Sequence, residues 1–241
     1  SGLVGSEMCI RDRNRTHCCR FWYVCVCVKS KLIRLPDHGT AYLYTSLEAM
    51  MRGTKYGLLL QSPDTKAPKF DLVYGGGSHF ILRACAEASP LYAVGDNRFG
   101  QLGSVRIRND NTTLHCVSYF SKDQGFPAGV QHVACGDRHT IALSTEGDAY
   151  VWGWYAPWGY SPPAPVDLGD NQHDYANVKA IACAADASVF VLADESVWIN
   201  GEKGIGLSST TKARRVKMDT KMNNVLNIGA SQWTFFMLVS C

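Results

Sequence analysis

The sequence lacks an apolar run long enough to cross a membrane. A membrane-spanning helix needs about 20 consecutive apolar residues, and the strongest apolar segment, residues 21–28 (FWYVCVCV), is much shorter. Arginines precede this segment, as in a signal peptide, but its residues are β-branched and aromatic. It runs straight into Lys29-Ser30-Lys31, with no small-residue cleavage site. We therefore interpret it as a buried strand and expect no membrane partner.

The sequence also lacks the motifs of common catalytic and cofactor sites. No glycine-rich loop ends in the Gly-Lys-Ser/Thr that a phosphate-binding P-loop requires. No nucleophile is spaced with a base and an acid, and no set of metal ligands stands out. The net charge is only +3, so no global excess of charge indicates nucleic acid. We predict a protein that is not an enzyme, with no cofactor and no metal.

What the sequence does contain is a repeated pattern of short strands. Residues 130–154 predict three strands, separated by a Gly-Asp-Arg break and a Glu-Gly-Asp hairpin turn. One such meander is too small to bury its own faces, but copies occur at residues 70–95, 178–199 and 225–238. The anchor positions are spaced as in solenoids or propellers. These anchors are Gly76, Gly136, Ala184 and Ala230.

A fourth short strand completes the unit after a corner that follows the third strand. We place it at residues 115–117, 165–168 and 215–217 in successive units. With two or more strands per unit and no helical periodicity between them, the fold class predicted is all-β. Its architecture is a β-propeller of four-stranded antiparallel blades, with about 3.5 to 5 blades present.

The corner and the first turn carry a family resemblance. Residues 91–103 (LYAVGDNRFGQLG) and residues 134–143 (ACGDRHTIAL) resemble the repeats of the regulator of chromosome condensation family. The resemblance covers roughly residues 70–241, although the corners at 153–160 and 201–207 depart from the pattern. It implies a seven-bladed propeller, relative to which this chain is incomplete.

We predict three segments along the chain. Residues 1–20 are expected to be a non-native or disordered tail, residues 21–69 a degenerate blade or strand segment, and residues 70–241 the repeats. A further hypothesis is that residues 21–28 and 41–44 close a ring by supplying strands that the last blade lacks. The repeat units are predicted at about 91–145, 148–194 and 196–241.

Several recurrent positions are predicted to be structural. His79 and His139 share one repeat position, which Ala187 and Trp233 fill in the other units. We favour a bond between strand and neighbouring loop there over a general base or metal ligand. The glycines suit corners with positive φ or close backbone approach, and polar side chains of the corner, Asp96 among them, are expected to bond to its backbone. The structural positions are Gly76, His79, Gly95, Asn97, Gly100, Gln101, Gly103, Gly136, His139, Gly153 and Gly201.

The cysteines are predicted to be unpaired. None of the ten lies in a Cys-x-x-Cys motif, and the chain is too long for a disulfide-stabilised miniprotein. Cys135 and Cys183 occupy the same position in successive units, which suggests small buried apolar residues. We therefore expect an intracellular location, cytoplasmic or nuclear.

Two surface segments are candidates for partner binding. Propeller loops carry function and Trp and Tyr are enriched at binding hot spots, so we predict partner-binding residues in the aromatic loop that replaces the second corner. They are Trp154, Tyr155, Trp158 and Tyr160. The alternative is that these rings pack over the blade edge. Arg214 and Arg215 are a second candidate, for an acidic partner or phosphate, against the alternative of a solvated strand face.

The predicted function is that of a non-catalytic protein-interaction propeller that binds a protein partner through a loop face. The resemblance also implies two alternatives: a guanine-nucleotide exchange factor for a Ran-like small GTPase, and a chromatin-binding or nucleosome-binding module. A related tryptophan photoreceptor carries Trp before the Arg-His-Thr of its repeats. Asp137 stands there in this chain, so we exclude that function.

Overall fold

The described part of the chain is almost entirely β-structure. The computed structural model describes residues 8–10, 23–28, 31–36, 39–62, 68–86, 90–104, 112–121, 124, 126, 128–155, 159–168, 177–201, 213–217, 225–231 and 234–239. These residues form five antiparallel sheets, each made of consecutive strands. We call the sheets blades 1 to 5 in chain order. The prediction of a propeller of antiparallel blades is confirmed.

Blade 1 has five strands and two short helices. Its strands are β1 (Met8–Ile10), β2 (Tyr23–Val28), β3 (Lys31–Leu35), β4 (Tyr42–Tyr44) and β5 (Leu58–Leu59). Between β4 and β5 lie helix α1 (Leu47–Arg52), capped by the Ser46 hydroxyl, and a 3₁₀ turn (Thr54–Tyr56). None of the helices in the described part of the chain has the length and apolar character needed to cross a bilayer.

Blades 2, 3 and 4 have four strands each and blade 5 has two. Blade 2 comprises β6 (Phe70–Gly75), β7 (His79–Ala84), β8 (Leu91–Gly95) and β9 (His115–Cys116), followed by a 3₁₀ turn (Ser118–Phe120). Blade 3 comprises β10 (Val130–Cys135), β11 (His139–Ser144), β12 (Ala149–Tyr155) and β13 (Gly159–Pro165). Blade 4 comprises β14 (Val178–Cys183), β15 (Ala187–Leu192), β16 (Val197–Gly201) and β17 (Arg214–Arg215), and blade 5 comprises β18 (Val225–Ala230) and β19 (Phe235–Val239).

The core lies between the blades. The second strands β11 and β15 are buried at every residue, because a neighbouring blade covers each of their faces. This is why each strand contains consecutive apolar residues, at 141–143 and 189–192. Successive clusters fill the spaces between blades, with Phe80 and Leu82 between blades 1 and 2, and Trp152 between blades 2 and 3. Phe190 lies between blades 3 and 4, and smaller aliphatic residues lie between blades 4 and 5.

The first strands of the blades lie against one another near the axis. β10 packs on β6 and β7, β14 packs on β10 and β11, and β18 packs on β14. In the same way β6 packs on β2 and β3, so β2 has the position of a first strand and β1 is an additional strand beside it. A cavity of about 270 Å³ lies among β6, β10, β14 and β18.

The structure differs from two sequence-based expectations. The hypothesis that residues 21–28 and 41–44 complete the last blade is wrong, because β2 and β4 pair within blade 1 and β18 pairs only with β19 among the described strands. The fourth strand of blade 3, predicted at 165–168, spans 159–165. It starts early because its first residues pair directly with the end of β12.

The predicted repeat units, which stay predictions, can be compared with the blades. Each predicted unit, such as 91–145, contains the last two strands of one blade and the first two of the next. The unit of sequence thus links two blades and is out of phase with the unit of structure. Within residues 1–20, Met8–Ile10 pairs with β2. The segment boundaries themselves stay predictions.

Candidate functional site

The connections of the blades emerge at two opposite faces. In blades 2 to 4 the end of the third strand pairs with the start of the second: Gly95 with His79, Gly153 with His139, and Gly201 with Ala187. The turn between the first two strands and the connection from the third to the fourth therefore lie at the same face. We call it the corner face. The predicted glycine-rich corner and the predicted aromatic loop both lie on it.

The glycines that end the third strands are required by sterics. Gly95, Gly153 and Gly201 have φ values of 125°, 95° and 153°. A Cβ atom on each would come within 3.0 Å of the Cα atom of His79, His139 or Ala187, respectively. Glycine is the residue that tolerates both the positive φ and the close approach.

The corner of residues 95–104 is held by its own polar side chains. The Asn97 side-chain amide donates to the Ser104 carbonyl (2.7 Å), and its oxygen accepts from the Leu102 N–H (3.0 Å). The Gln101 side-chain oxygen accepts from the Phe99 N–H (2.9 Å). These are the side-chain-to-backbone bonds expected for this corner, and they hold its backbone conformation without the help of a binding partner.

The corner of blade 2 is docked onto blade 3. The Gln101 carbonyl accepts a hydrogen bond from the Trp152 indole N–H (2.9 Å) and one from the Thr140 hydroxyl (3.3 Å). Gly153 lies directly beside this corner, since a Cβ there would be 3.3 Å from the Gln101 Cα. The corner is therefore a fixed part of the surface shared by the two blades.

The two repeat histidines are buried ties between blades. His79 Nε2 lies 2.8 Å from the Thr140 hydroxyl of blade 3, and His139 Nε2 lies 2.8 Å from the Ser188 hydroxyl of blade 4. Because the Thr140 hydroxyl donates to Gln101, His79 Nε2 is the donor in its pair. The partner is thus a hydroxyl on the next blade's second strand, whereas the sequence suggested a neighbouring loop.

The environment of these histidines keeps them neutral. Burial, reinforced by the nearby His139, lowers the pKa of His79 to about 3, and burial lowers the pKa of His139 to about 4. Neither imidazole is accessible to a substrate. This geometry supports the structural interpretation of the repeat position.

The histidine also explains the glycine three residues before it. A Cβ on Gly76 would lie 2.5 Å from the His79 ring, and a Cβ on Gly136 would lie 2.3 Å from the His139 ring. In blade 4 the histidine position is Ala187, and the glycine position is Ala184. Where the imidazole is absent, the extra methyl group fits.

The aromatic loop is the end of a β-hairpin. Trp154 pairs with Tyr160, and Tyr155 pairs with Gly159, so that β12 and β13 extend beyond the blade at the corner face. The Trp154 ring contacts the Phe99 ring edge to face (centroids 5.9 Å apart), and its side chain remains 40% exposed. Trp158 lies outside the described residues. Of Tyr155 only the backbone pairing is described.

The Tyr160 ring lies on the corner of blade 2. A Cβ on Gly100 would lie 2.1 Å from two carbons of that ring, and Gly100 has a φ of 73°. The two interpretations of the aromatic loop are thus divided between its residues. Tyr160 packs over the neighbouring corner, and Trp154 presents an exposed ring.

Two arginines lie beside the contacting rings of Phe99 and Trp154. Arg138 lies with its guanidinium carbon 5.1 Å from the centre of the Phe99 ring, and its carbonyl accepts the Trp154 N–H (2.9 Å). Arg98 lies 5.9 Å from the same ring and pairs with the Asp96 carboxylate (2.6 Å). We call Arg98, Phe99, Arg138, Trp154 and Tyr160 the corner–hairpin cluster.

The sequence did not single out Phe99, Arg98 or Arg138. Each lies inside a stretch that was recognised as a motif, but the contact between the stretches joins residues that are far apart in the chain. Arg214 and Arg215 lie elsewhere, exposed on the outermost strand of blade 4, where they pair with Ile199 and Trp198. The structure does not bring these two arginines into the corner–hairpin cluster.

The cavity near the axis shows no arrangement for chemistry in the described residues. Its wall includes Cys135 and Cys183, and burial raises the pKa of both thiols, that of Cys183 to about 12. Protonated thiols are poor nucleophiles and poor metal ligands. Across the described parts of the chain, no three His, Cys, Asp or Glu side chains are grouped to hold a metal ion.

A comparison with protein families matches the centre of the chain. The family described as the regulator of chromosome condensation (RCC1) repeat matches residues 130–154, which contain β10, β11 and most of β12. The match at residues 130–154 supports an RCC1-repeat propeller, partial or divergent. The matched segment begins at Val130, the first residue of β10, and ends at Trp154, where the hairpin tip begins.

Curated relatives extend the match beyond that repeat. Protein RCC1 of Candida albicans is 30% identical over 90 residues, which are 36% of this chain and 19% of that protein. The human RCC1-like G exchanging factor-like protein is 28% identical over 152 residues, which are 59% of this chain and 31% of that protein. The matched part of this chain thus spans less than a third of either relative's length.

Solved structures share the RCC1 propeller fold. Human WBSCR16 superposes with a TM-score of 0.69 at 18% identity, covering 95% of this chain and 60% of that one. Yeast RCC1 (Prp20), in its complex with Kap60, superposes with a TM-score of 0.64 at 16% identity, covering 91% of this chain and 54% of that one. At these identities the likeness shows the architecture only.

Proposed function

We propose that this chain acts as a non-catalytic protein-interaction propeller, which binds a protein partner through the corner face. The observation that carries the proposal is Trp154, whose ring is exposed yet held in place. The Phe99 ring packs against one side of the Trp154 ring, and the Trp154 backbone N–H donates to the Arg138 carbonyl. A large aromatic surface that is already ordered loses little entropy on binding, which is the condition for a hot spot.

The proposal includes a reducing intracellular location, cytoplasmic or nuclear. It is supported by the four cysteines whose side chains are described: Cys85, Cys116, Cys135 and Cys183 are all free thiols.

The test is a capture experiment with matched variants. Proteins that bind the 241-residue chain should be identified by crosslinking, and their affinities for Trp154→Ala then measured. A hot-spot tryptophan contributes about 2 kcal/mol or more, so the affinity should fall by about thirtyfold. The control is Met51→Ala, which truncates another exposed apolar side chain, on α1 in blade 1. Equal losses in the two variants, or none in either, would contradict the proposed surface.

A second candidate is guanine-nucleotide exchange on a Ran-like small GTPase. It is favoured by the human relative named as an RCC1-like G exchanging factor-like protein, and by the yeast Prp20p structure, which is described with its binding to Gsp1p and histones. An exchange factor acts by binding the nucleotide-free GTPase more tightly than the nucleotide-bound form. Catalytic release of labelled GDP from such a GTPase would support this function. Release curves that stay flat as chain is added would reject it.

Binding to chromatin is the third candidate, favoured by the same description of Prp20p and by the exposed pair Arg214 and Arg215. It predicts an affinity for nucleosomes that falls steeply with salt, because each neutralised phosphate releases counterions. Replacing both arginines by glutamine should then flatten the salt dependence. A shallow slope in the wild-type chain would remove this candidate.

A further inference from the structure

Arg138 is the one arginine of the corner–hairpin cluster whose charge is not neutralised by a carboxylate of the described residues. Arg98 differs, because its Nε and Nη2 donate to both oxygens of Asp96, whose side chain is only 12% exposed. That pair is a neutral unit that belongs to the corner. Among the described residues, the guanidinium of Arg138 lies over the face of the Phe99 ring.

The position of Arg138 prepares it to accept an anionic group. The Phe99 ring attracts the cation through its π-face but accepts none of the in-plane N–H groups, so the fork of donors stays available. A guanidinium fork matches the two oxygens of a carboxylate. Arg138 is half-buried, so a carboxylate bound there would be partly shielded from water.

The neighbouring acidic groups leave this position open. The Asp137 carboxylate points towards blade 2, since a Cβ on Gly77 would lie 2.2 Å from its oxygen. Asp186 occupies the turn position of blade 4 that is equivalent to Arg138. Neither forms an ion pair with Arg138 among the described residues.

The cluster thus offers a cation and an apolar aromatic surface side by side. On the basis of the proposed function, we infer that the segment docking on the corner–hairpin cluster is an acidic peptide, with a carboxylate on Arg138 and an apolar side chain against Trp154 and Phe99. A nucleic acid fits less well. Its affinity rests on several phosphate contacts, and the cluster has a single cation without a carboxylate partner.

The experiment is a selection of random peptides displayed on phage against the 241-residue chain. The selected peptides are then titrated against Arg138→Gln, Trp154→Ala and a control, Arg52→Gln, which removes an exposed cation from α1 in blade 1. We expect peptides that carry Asp or Glu next to an apolar residue. Arg138→Gln should weaken them at least tenfold and remove the salt dependence of binding, while Arg52→Gln should leave both unchanged.

The outcomes separate the inference from the proposed function. The inference is overturned if the selected peptides depend on Trp154 but lack acidic residues, or if they bind Arg138→Gln as tightly as wild type. Either result is still consistent with the proposed binding surface around Trp154. A selection that yields no peptide dependent on Trp154 overturns both. Arg138→Lys keeps the charge without the fork, so full affinity in that variant would also overturn the carboxylate contact. Thermal unfolding of each variant shows whether it is folded.

Discussion

Acidification from pH 7 to pH 5 is expected to destabilise the propeller through its two buried histidines. The pKa of His79 is lowered to about 3 and that of His139 to about 4, whereas an unfolded histidine has a pKa of about 6.5. Between these values the unfolded chain binds protons that the folded chain does not. Stability is therefore fully present above about pH 6.5 and is lost as the pH falls below it.

The size of this destabilisation follows from the difference in histidine pKa between the folded and unfolded states. At pH 5 an unfolded histidine is almost fully protonated and each buried one is still neutral, so the free energy of unfolding falls by about 2 kcal/mol per histidine. The expected total is about 4 kcal/mol, a large part of the stability of a typical domain. Stopping at pH 5 keeps most carboxylates ionised. The pKa of Glu195, for example, is lowered by its bond to Lys179.

The assay is urea unfolding at both pH values, followed by circular dichroism and tryptophan fluorescence together. His139→Gln keeps a side-chain donor near Ser188 and should remove about half of the pH effect. Ser188→Ala is the matched variant. It deletes the hydrogen bond but leaves His139 buried, so the chain should be weaker at both pH values with the pH effect retained. If His139→Gln loses as much stability between pH 7 and pH 5 as the wild-type chain does, the assignment of half of this effect to the His139 imidazole is refuted.

Two further predictions concern contacts between blades. Gly100→Ala should lower the free energy of unfolding by roughly 2–4 kcal/mol, measured in urea, because the new methyl group meets the Tyr160 ring and φ is 73°. Glu195→Ala should speed hydrogen exchange of the Val225 amide, which donates to the Glu195 carboxylate (2.7 Å), by about 5- to 30-fold.

Each of these predictions has a matched control. Gly53 also has a positive φ, of 111°, but a Cβ there would meet nothing within 4 Å, so Gly53→Ala should cost only about 1–2 kcal/mol of backbone strain. Equal effects at Gly53 and Gly100 would contradict the contact with Tyr160. Lys179→Met removes the other partner of Glu195 (2.6 Å) and leaves the bond to Val225. An equal rise in exchange in that variant would contradict the direct role of the carboxylate.

An exposed apolar face marks blade 5. Phe236 and Leu238 of β19 are each more than half exposed, although the opposite side of the strand packs towards blade 4 through Phe235 and Met237. In blades 2 to 4 the corresponding faces are covered by a neighbour. This face therefore resembles in composition the surfaces that are buried between the other blades.

The residues of each strand were predictable because their burial leaves a local signature. A second strand such as β11 is covered on both faces, so consecutive apolar residues occupy its centre, at 141–143. The turns must contain glycine where φ is positive, as at Gly95 and Gly153. These constraints act on neighbours in the chain, and they repeat with the blade, so the sequence by itself determined the fold class and the strand pattern.

The tertiary structure alone decided which residues meet between blades. His79 bonds to Thr140, and Tyr160 packs on Gly100. Both contacts join residues about one blade apart, and no local pattern encodes which partner lies opposite. For the same reason the phase between repeat and blade, the early start of β13, and the approach of Arg138 and Phe99 to Trp154 were not predictable. Packing between sheets, rather than the preference of any segment, placed an exposed tryptophan beside a cation that no carboxylate of the described residues neutralises.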